Sequence, residues 1–360
     1  MSRKIITLFA ILLVGSMLLV ACGGNAPANN VVEVVEEAPM EEMSSSPILD
    51  RVLANGKVVC GGRTDLVGFG YLDADGNNVG FDIDLCRAVA AALFNDPTAI
   101  EVIPLGAADR GPSLQTAEVD MLSRNVTWTS SRDTQWGNFT IVTFYDGQGF
   151  LVHAESGIET MEDMQGASVC VGSGTTTEQN LGDFFRQNGW EFEAVVFDDA
   201  GEVYGAYQEG RCDVTTSDLS QLAAKRSGFE DPSAHVILAG AISKEPLTVA
   251  VPHGDDAWFD LVKDVLYGLI NAEELGVTMA NVEEMKSSES INVLRLLGQE
   301  GDWGYSDLGV SAEALAQSIA AVGNYGEIYK KHIADTGIMP NRGPNELWTK
   351  GGLLYVAPAR

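Results

Sequence analysis

Short apolar runs alternate with amphipathic stretches along most of the chain. In the first half, β-runs at Lys57–Cys60, Glu101–Leu105 and Asp120–Ser123 are separated by helical stretches at Phe81–Phe94 and Pro112–Val119. In the first of these stretches, apolar residues recur at three- and four-residue intervals, the spacing of one buried helix face. Strands that alternate with helices in this way predict an α/β lobe with a parallel sheet.

The same order of elements recurs in the second half. β-runs at Ser168–Val171, Glu193–Phe197 and Asp213–Thr216 are separated by helical stretches at Thr177–Asn188 and Glu202–Glu209. We therefore predict an α/β fold with two parallel-sheet lobes. Because ligands bind beyond the carboxyl ends of the strands in such sheets, we expect a binding cleft where the lobes face each other.

Two segments are predicted to join the lobes as a hinge. Residues 139–145 lead from the first lobe into the turn 146–149, and residues 241–247 lead back. Paired crossings that contain Gly or Pro are typical of hinges. The predicted boundaries are 47–145 and 246–300 for lobe I, 146–245 for lobe II, and 301–360 for a C-terminal helical extension.

The first residues have the pattern of an export signal. The apolar run Ile5–Ala21 follows two basic residues and is shorter than the ~20 residues of a membrane-spanning helix. Its end, Leu19–Gly23, resembles the lipobox of bacterial lipoproteins, in which the signal is cut before a Cys that becomes lipidated. The alternatives are a plain signal peptide or a membrane helix with an accidental Cys. The prediction is a lipoprotein signal peptide at 1–21, a lipid-anchored Cys22 and a flexible tether at 22–46, on the outer face of a membrane.

Composition excludes several classes of protein. The 360 residues include 22 Lys and Arg against 51 Asp and Glu, which gives a formal net charge of −29. Because so acidic a chain is repelled by phosphate backbones, we expect no nucleic-acid partner. Apolar residues make up 45% and charged residues 20%, the balance of a globular protein, and this excludes wholesale disorder.

The cysteines indicate disulfides and no metal site. Besides Cys22, the chain contains Cys60, Cys86, Cys170 and Cys212. An even number in an exported protein indicates disulfides, for which three pairings are possible. No Cys-x-x-Cys or Cys/His cluster occurs, and the acidic run 73–78 is better explained by a β-hairpin turn than by a calcium loop. We expect neither a metal nor a cofactor.

Polar side chains follow the predicted strands of both lobes. Asn125 and Thr127 come after a strand of the first lobe, and Arg132 has a planar guanidinium suited to a carboxylate. In the second lobe, the run 172–178 begins a helix whose free N–H groups favour an anion, and Asp218 could hold a cation. Two anion-binding elements and one cation-binding element match an α-amino acid.

Taken together, these residues resemble a known family. The sequence is similar to the periplasmic solute-binding proteins of polar amino-acid ABC transporters (family 3), and within it to the general L-amino-acid-binding branch. The resemblance covers residues 47–360. It depends on the segments 122–133, 144–150, 169–178, 210–213, 242–247, 271–274, 323–327 and 347–353.

The resemblance implies a periplasmic-binding-protein-like type II fold whose two lobes close on an amino acid. The family's ligand-binding positions fall on Arg132 for the carboxylate, Asn125, Thr127 and Thr176 for further polar contacts, and Asp218 for the ammonium. The implied partners are an ABC permease and ATPase complex and, through the lipid anchor, the bilayer. We expect a monomer outside the cytoplasm that is not an enzyme.

One pairing of the cysteines is favoured. Cys86 lies on the inward face of a predicted helix and Cys60 on the adjoining strand, so the two can meet. Bridges between lobes would lock the hinge and block ligand release. We therefore predict the disulfides Cys60–Cys86 and Cys170–Cys212, one in each lobe.

Simpler or different interpretations remain open. Arg132 could form only a surface ion pair with Asp133, and the threonines at 175–177 could only cap a helix. The same fold also supports dehydratases that act on prephenate-like acids. A dehydratase would need a general acid in the cleft, facing the leaving group of its substrate.

Overall fold

The computed structural model describes residues 46–301 and 303–359. The predicted signal peptide at 1–21, the lipidation site Cys22 and all but the last residue of the tether lie outside these ranges. Within them, no helix has the length and apolar character needed to cross a bilayer.

The described residues contain thirteen strands and twelve α-helices. The strands are β1 (Val58–Gly62), β2 (Asp65–Leu66), β3 (Gly70–Leu72), β4 (Asn78–Val79), β5 (Ile100–Pro104), β6 (Met121–Leu122), β7 (Asn138–Asp146), β8 (Gln148–His153), β9 (Ser168–Gly172), β10 (Glu193–Phe197), β11 (Val214–Asp218), β12 (His235–Ile237) and β13 (Glu245–Val251). The helices are α1 (Pro47–Asn55), α2 (Phe81–Phe94), α3 (Arg110–Gln115), α4 (Ser130–Gln135), α5 (Thr176–Asn188), α6 (Ala200–Gln208), α7 (Leu219–Ser227), α8 (Asp256–Glu274), α9 (Val282–Met285), α10 (Ile291–Leu296), α11 (Ala314–Val322) and α12 (Tyr325–Tyr329). Shorter 3-10 turns lie at Glu162–Met164, Pro232–Ala234, Ser306–Leu308, Gly343–Asn345 and Trp348–Lys350, and a π-helical turn at Lys330–Ala334 follows α12.

Two five-stranded sheets organise the two lobes. The sheet of lobe I has the order β5-β1-β6-β13-β7, and the sheet of lobe II has the order β10-β9-β11-β8-β12. In lobe I, β1 pairs in parallel with β5 and β6; in lobe II, β9 pairs in parallel with β10 and β11. This arrangement confirms the two-lobe α/β fold and brings the carboxyl ends of three strands in each sheet to one edge.

The sheets are mixed, however, and not wholly parallel as predicted. In lobe I, β13 runs antiparallel to β6 and β7; in lobe II, β8 runs antiparallel to β11 and β12. The cause is the crossing between lobes. Only Gly147 separates β7 from β8, and β13 returns to lobe I alongside β7. Because the crossing chain continues as strands of both sheets, β8 enters lobe II and β13 re-enters lobe I against the direction of the parallel strands, whereas β7 runs with them.

The predicted hairpin at residues 72–79 is confirmed. Strands β3 and β4 pair antiparallel, and with β2 they form a small third sheet. The carboxylate of Asp73 accepts hydrogen bonds from the N–H groups of Asp75 at 2.9 Å and Asn77 at 2.8 Å. Gly76 has a φ of 82°, which suits glycine in such a turn. The acidic run therefore stabilises its own turn.

The C-terminal residues pack against lobe I. Helix α11 contacts α2 and α8, and the Ser318 hydroxyl donates a 2.7 Å hydrogen bond to the Ala88 carbonyl in α2. Further along, Arg342 forms a two-pronged ion pair with Glu273 of α8, with N–O distances of 2.6 and 3.1 Å. The apolar residues of α11 and α12 belong to the same buried cluster as those of α2 and α8. The extension therefore completes the core of lobe I.

Both predicted disulfides are present. Cys60 of β1 is bonded to Cys86 of α2, and Cys170 of β9 is bonded to Cys212, just before β11. Each bridge lies within one lobe, and neither connects lobe I to lobe II. The bridges therefore leave the hinge free.

We expect each disulfide to stabilise the fold measurably. In the chain-entropy model, a bridge closing loops of this size contributes about 2–4 kcal/mol. The double variants Cys60→Ala/Cys86→Ala and Cys170→Ala/Cys212→Ala should lower the free energy of unfolding by that amount in denaturant titrations. A loss below ~1 kcal/mol for either pair would contradict the expectation, as would a 60–170 or 86–212 linkage in non-reducing peptide mapping.

Candidate functional site

A cavity of about 310 Å³ lies where the carboxyl ends of the parallel strands in the two lobes meet. Lobe I lines it with the segments after β1, β5 and β6, and lobe II with the segments after β9, β10 and β11. Most of these residues are polar. This is the position expected for a ligand site in α/β lobes.

Four of the five predicted binding residues line this cavity. Asn125 and Thr127 come from lobe I, and Thr176 and Asp218 come from lobe II. The fifth, Arg132, is not among the lining residues. Its Nη1 donates a 3.0 Å hydrogen bond to the Thr127 carbonyl, so its guanidinium lies behind the lobe I wall.

Arg132 does not form the surface ion pair that was the simpler alternative. Its exposed fraction is only 7%, and its guanidinium lies 4.7 Å from the centre of the Trp136 ring. The Asp133 carboxylate instead accepts a 3.1 Å hydrogen bond from the Phe139 N–H. Burial lowers the pKa of Arg132, while Glu245 and Asp218 act in the opposite direction. Arg132 is therefore a buried cation next to the hinge.

Asp218 ends β11 and is a buried acid that has no basic partner among residues 46–301 and 303–359. Its exposed fraction is 6%, and no Lys or Arg of the described residues lies within 4.0 Å of its carboxylate. Burial raises the pKa of Asp218 well above its ordinary value, and repulsion from Asp146 and Glu245 raises it further. A cationic group bound in the cavity would stabilise the ionised form of this carboxylate.

The start of α5 presents one threonine to the helix and another to the cavity. The Thr175 hydroxyl accepts a 3.0 Å hydrogen bond from the Glu178 N–H, which is ordinary N-capping. Thr176 lines the cavity, and its hydroxyl lies 3.4 Å from that of Thr127 in the opposite lobe. Capping therefore explains Thr175 but not the position of Thr176.

Glu245 is a central residue that the sequence did not identify. Its carboxylate accepts hydrogen bonds from Thr127 Oγ1 at 2.6 Å, Thr176 Oγ1 at 3.0 Å, Asn180 Nδ2 at 2.8 Å and Ser243 Oγ at 2.5 Å. These donors come from lobe I, lobe II and the hinge. Two sequence signals could have found it: Glu245 lies in the crossing segment 241–247 and in the segment 242–247, on which the family resemblance depends.

Three arginines at the cavity were also missed. Arg63, Arg110 and Arg124 all line it: Arg63 and Arg124 follow β1 and β6, and Arg110 is the first residue of α3. Arg63 is paired with Asp65 through N–O distances of 2.7 and 2.8 Å. Arg124 lies in the segment 122–133, on which the family resemblance depends. Its position directly after a predicted strand could therefore have marked it as a site residue.

The two lobes touch across the cavity. Arg63 Nη1 donates to Gln221 Oε1 at 2.8 Å, and Lys225 Nζ donates to the Asp65 carbonyl at 2.8 Å. Asn125 Nδ2 also donates to Gln221 Oε1, at 3.3 Å. Because these bonds join lobe I to helix α7 of lobe II, the structure is in a closed arrangement. Within the described ranges, no group of three or more His, Cys, Asp or Glu residues is arranged to hold a metal ion.

Asn125 is held in an unusual backbone conformation by a buried acid. Its φ is 34°, a region that Asn tolerates better than most residues. Its N–H donates a 2.8 Å hydrogen bond to Asp82 Oδ2. Burial raises the pKa of Asp82 to about 7, although this hydrogen bond and Arg63 act in the opposite direction.

The raised pKa of Asp82 predicts that stability falls as pH rises. The folded protein holds the Asp82 proton more tightly than the unfolded chain, so stability present below pH ~4 is lost as the pH rises through about 7. The difference between the pKa of Asp82 in the folded protein and in the unfolded chain corresponds to at most ~4 kcal/mol. We expect unfolding titrations between pH 4 and 7.5 to show this decline, and Asp82→Asn, which keeps an acceptor for Asn125, to make it shallower, because Asp218, whose pKa is also raised, still contributes. An equal slope in the variant would contradict the assignment.

The fold and the cavity define a solute-binding protein of the periplasmic binding protein type, in which two α/β lobes enclose a polar site. Residues 58–280 match the family model of bacterial extracellular solute-binding proteins, family 3. The chain belongs to this family, as the sequence resemblance implied, and the family places it outside the cytoplasm.

Similar proteins support the same membership along nearly the whole chain. The general L-amino acid-binding periplasmic protein AapJ of Rhizobium johnstonii is 48% identical over 320 residues, which cover 88% of this chain and 94% of that protein. The glutamate/glutamine/aspartate/asparagine-binding protein BztA of Rhodobacter capsulatus is 43% identical, with the same coverage. A solved ABC transporter periplasmic binding protein from Brucella ovis with glutathione bound has a TM-score of 0.84 and 46% identity, and covers 87% of this chain and 99% of that chain.

Proposed function

We propose that this protein captures an L-amino acid between its lobes and delivers it to the permease and ATPase complex of an ABC importer. The observation that carries the proposal is two buried groups of opposite charge that have no ion-pair partner among the described residues: Asp218 at the cavity on lobe II, and Arg132 directly behind the cavity wall on lobe I. A zwitterion neutralises both. The names of AapJ and BztA, which describe amino-acid binding, support this class of ligand.

Each predicted residue has a role in this proposal. The ammonium binds Asp218, and the α-carboxylate lies against the N–H groups at the start of α5, next to Thr176, and against the lobe I wall at Thr127. Arg132 supplies positive charge from directly behind Thr127, and Asn125 supplies further polar contacts. Because the ligand touches both lobes, it favours the closed arrangement by its differential affinity for the two states.

A panel of L-amino acids tests this function. A ligand present at 100 times its Kd adds ~2.7 kcal/mol to stability, which is visible as a raised melting temperature. We expect at least one amino acid to raise the melting temperature of the purified protein and to be recovered chemically unchanged. No shift with any amino acid would contradict the proposal. Conversion of a prephenate-like acid would favour the dehydratase alternative, in which a cavity acid protonates the leaving group.

We also propose that the protein is a monomer anchored through lipid on Cys22. The support is the lipobox-like sequence at 19–23, which lies outside the described residues. Cys22→Ala should abolish lipidation and leave the precursor uncleaved by the lipoprotein peptidase, as seen by mass spectrometry and membrane fractionation. A wild-type protein that begins downstream of Cys22 in cells would contradict the anchor, and a dimer in light scattering would contradict the monomer.

A further inference from the structure

Three buried arginines of lobe I have no carboxylate partner in the part of the chain that the structure describes. Arg110 and Arg124 line the cavity, Arg132 lies behind its wall, and their exposed fractions are 4%, 9% and 7%. Each donates to a backbone carbonyl: Arg110 Nε to Ala107 at 3.0 Å, Arg124 Nε to Leu105 at 2.6 Å, and Arg132 Nη1 to Thr127. Among the described residues, no Asp or Glu oxygen lies within 4.0 Å of these guanidiniums.

This grouping of like charges is unfavourable in the absence of an anion. Burial, followed by repulsion from Arg124, Arg132 and Arg63, lowers the pKa of Arg110 well below its ordinary value. Burial and repulsion from Arg63 lower the pKa of Arg124 to about 9, although Asp65, Asp82 and Asp109 act in the opposite direction. A buried cation without a partner destabilises the fold, so the three side chains are poised to gain from a bound anion.

A single α-carboxylate cannot neutralise all of these buried arginines. Arg63 is already neutralised by Asp65, and the proposed function uses Arg132 for the α-carboxylate. Arg110 and Arg124 then remain at the cavity, with the Nη groups of both free of any protein acceptor among the described residues. Asp218 is the acid that attracts Arg110, but the ligand ammonium occupies it. Both guanidiniums therefore lie at the same cavity with no carboxylate of the described residues within 4.0 Å to neutralise them.

We infer that the ligand carries one ammonium and two carboxylates, and that Arg110 and Arg124 bind the second carboxylate. This inference rests on the proposed function and narrows it. An acidic L-amino acid and a γ-glutamyl peptide such as glutathione share this chemistry. A cavity of about 310 Å³ lies at the lower end of the ~300–1,000 Å³ range of small-molecule sites and admits either.

Two matched pairs of ligands test whether a second carboxylate is bound and whether it belongs to an acidic amino acid or to a γ-glutamyl peptide. Calorimetric titration of the purified full-length protein at pH 7.5 compares L-glutamate with L-glutamine, and reduced glutathione with its glycyl monoethyl ester. In each pair only one carboxylate is removed. We expect a preference of at least tenfold, or about 1.4 kcal/mol, for the dicarboxylate in at least one pair. The pair that contains the tighter ligand identifies the amino acid or the peptide as the source.

Variants then assign the preference to the two arginines. Arg110→Gln and Arg124→Gln should each reduce the preference below threefold while changing the affinity for the monocarboxylate much less. Arg186→Gln is the matched control, because Arg186 is exposed and, within the described ranges, pairs only with Asp183. Equal weakening of both members of a pair would overturn the inference, since the arginines would then bind the α-carboxylate.

The outcomes separate this inference from the proposed function. A wild-type preference below tenfold in both pairs, with clear amino-acid binding, would overturn the inference alone. No binding of any amino acid or peptide would instead overturn the proposed function. The wild-type comparison does not depend on the folding of any variant, so the inference stays testable if the buried arginines prove essential for the fold.

Discussion

Replacing Asp218 with Ala should weaken binding of the best amino-acid ligand at least ~30-fold, because truncating one partner of a buried charge pair costs ~2–5 kcal/mol. Asp218 is buried at the end of β11 and has no basic partner of its own among the described residues. Its removal would leave the ligand ammonium desolvated and unpaired. Calorimetric titration of the variant measures the effect.

Asp183→Ala is the control for this experiment. Asp183 lies in the same lobe but is exposed, and its partner is Arg186. An exposed ion pair contributes less than ~1 kcal/mol, so this variant should bind like the wild type. If Asp218→Ala also kept wild-type affinity, the ammonium site would have to lie elsewhere.

Replacing Arg132 with Ala should have an effect of similar size. The variant loses the positive charge behind the lobe I wall and the 3.0 Å hydrogen bond to the Thr127 carbonyl. We expect a loss of at least ~30-fold in affinity, corresponding to ~2 kcal/mol or more. Arg186→Ala, which removes an exposed arginine, serves as the control. An affinity within threefold of wild type would remove Arg132 from the site while leaving the fold assignment intact.

Local sequence patterns predicted some elements well and others only in part. Helix α2 has the predicted bounds, Phe81–Phe94, because its apolar spacing is regular and its end at Asn95 is left-handed, with a φ of 52°. Helix α3 ends at Gln115 and does not continue to Val119 as predicted. Two residues beyond its end, Ala117 has a φ of 52°, and a helix cannot continue through that conformation. Apolar spacing alone does not reveal such a reversal.

The sequence could predict those site residues that lie at the carboxyl ends of strands. Thr176 and Asp218 could be expected at one edge, because parallel strands of one sheet bring their carboxyl ends together. Glu245 could not, because its hydrogen-bond donors Thr127 and Thr176 lie 118 and 69 residues away along the chain and come from different lobes. Arg110 was missed for a related reason. That it has no carboxylate partner among the described residues depends on how the elements around it pack, which local sequence does not show.

The most direct measurement of the central claim is a crystal structure of the protein with the amino acid that raises its melting temperature most. Our account predicts the ligand in the interlobe cavity, with its ammonium within hydrogen-bond distance of Asp218 and its α-carboxylate between Thr127 and Thr176. A ligand bound outside this cavity, or with its carboxylate toward Asp218, would contradict the account.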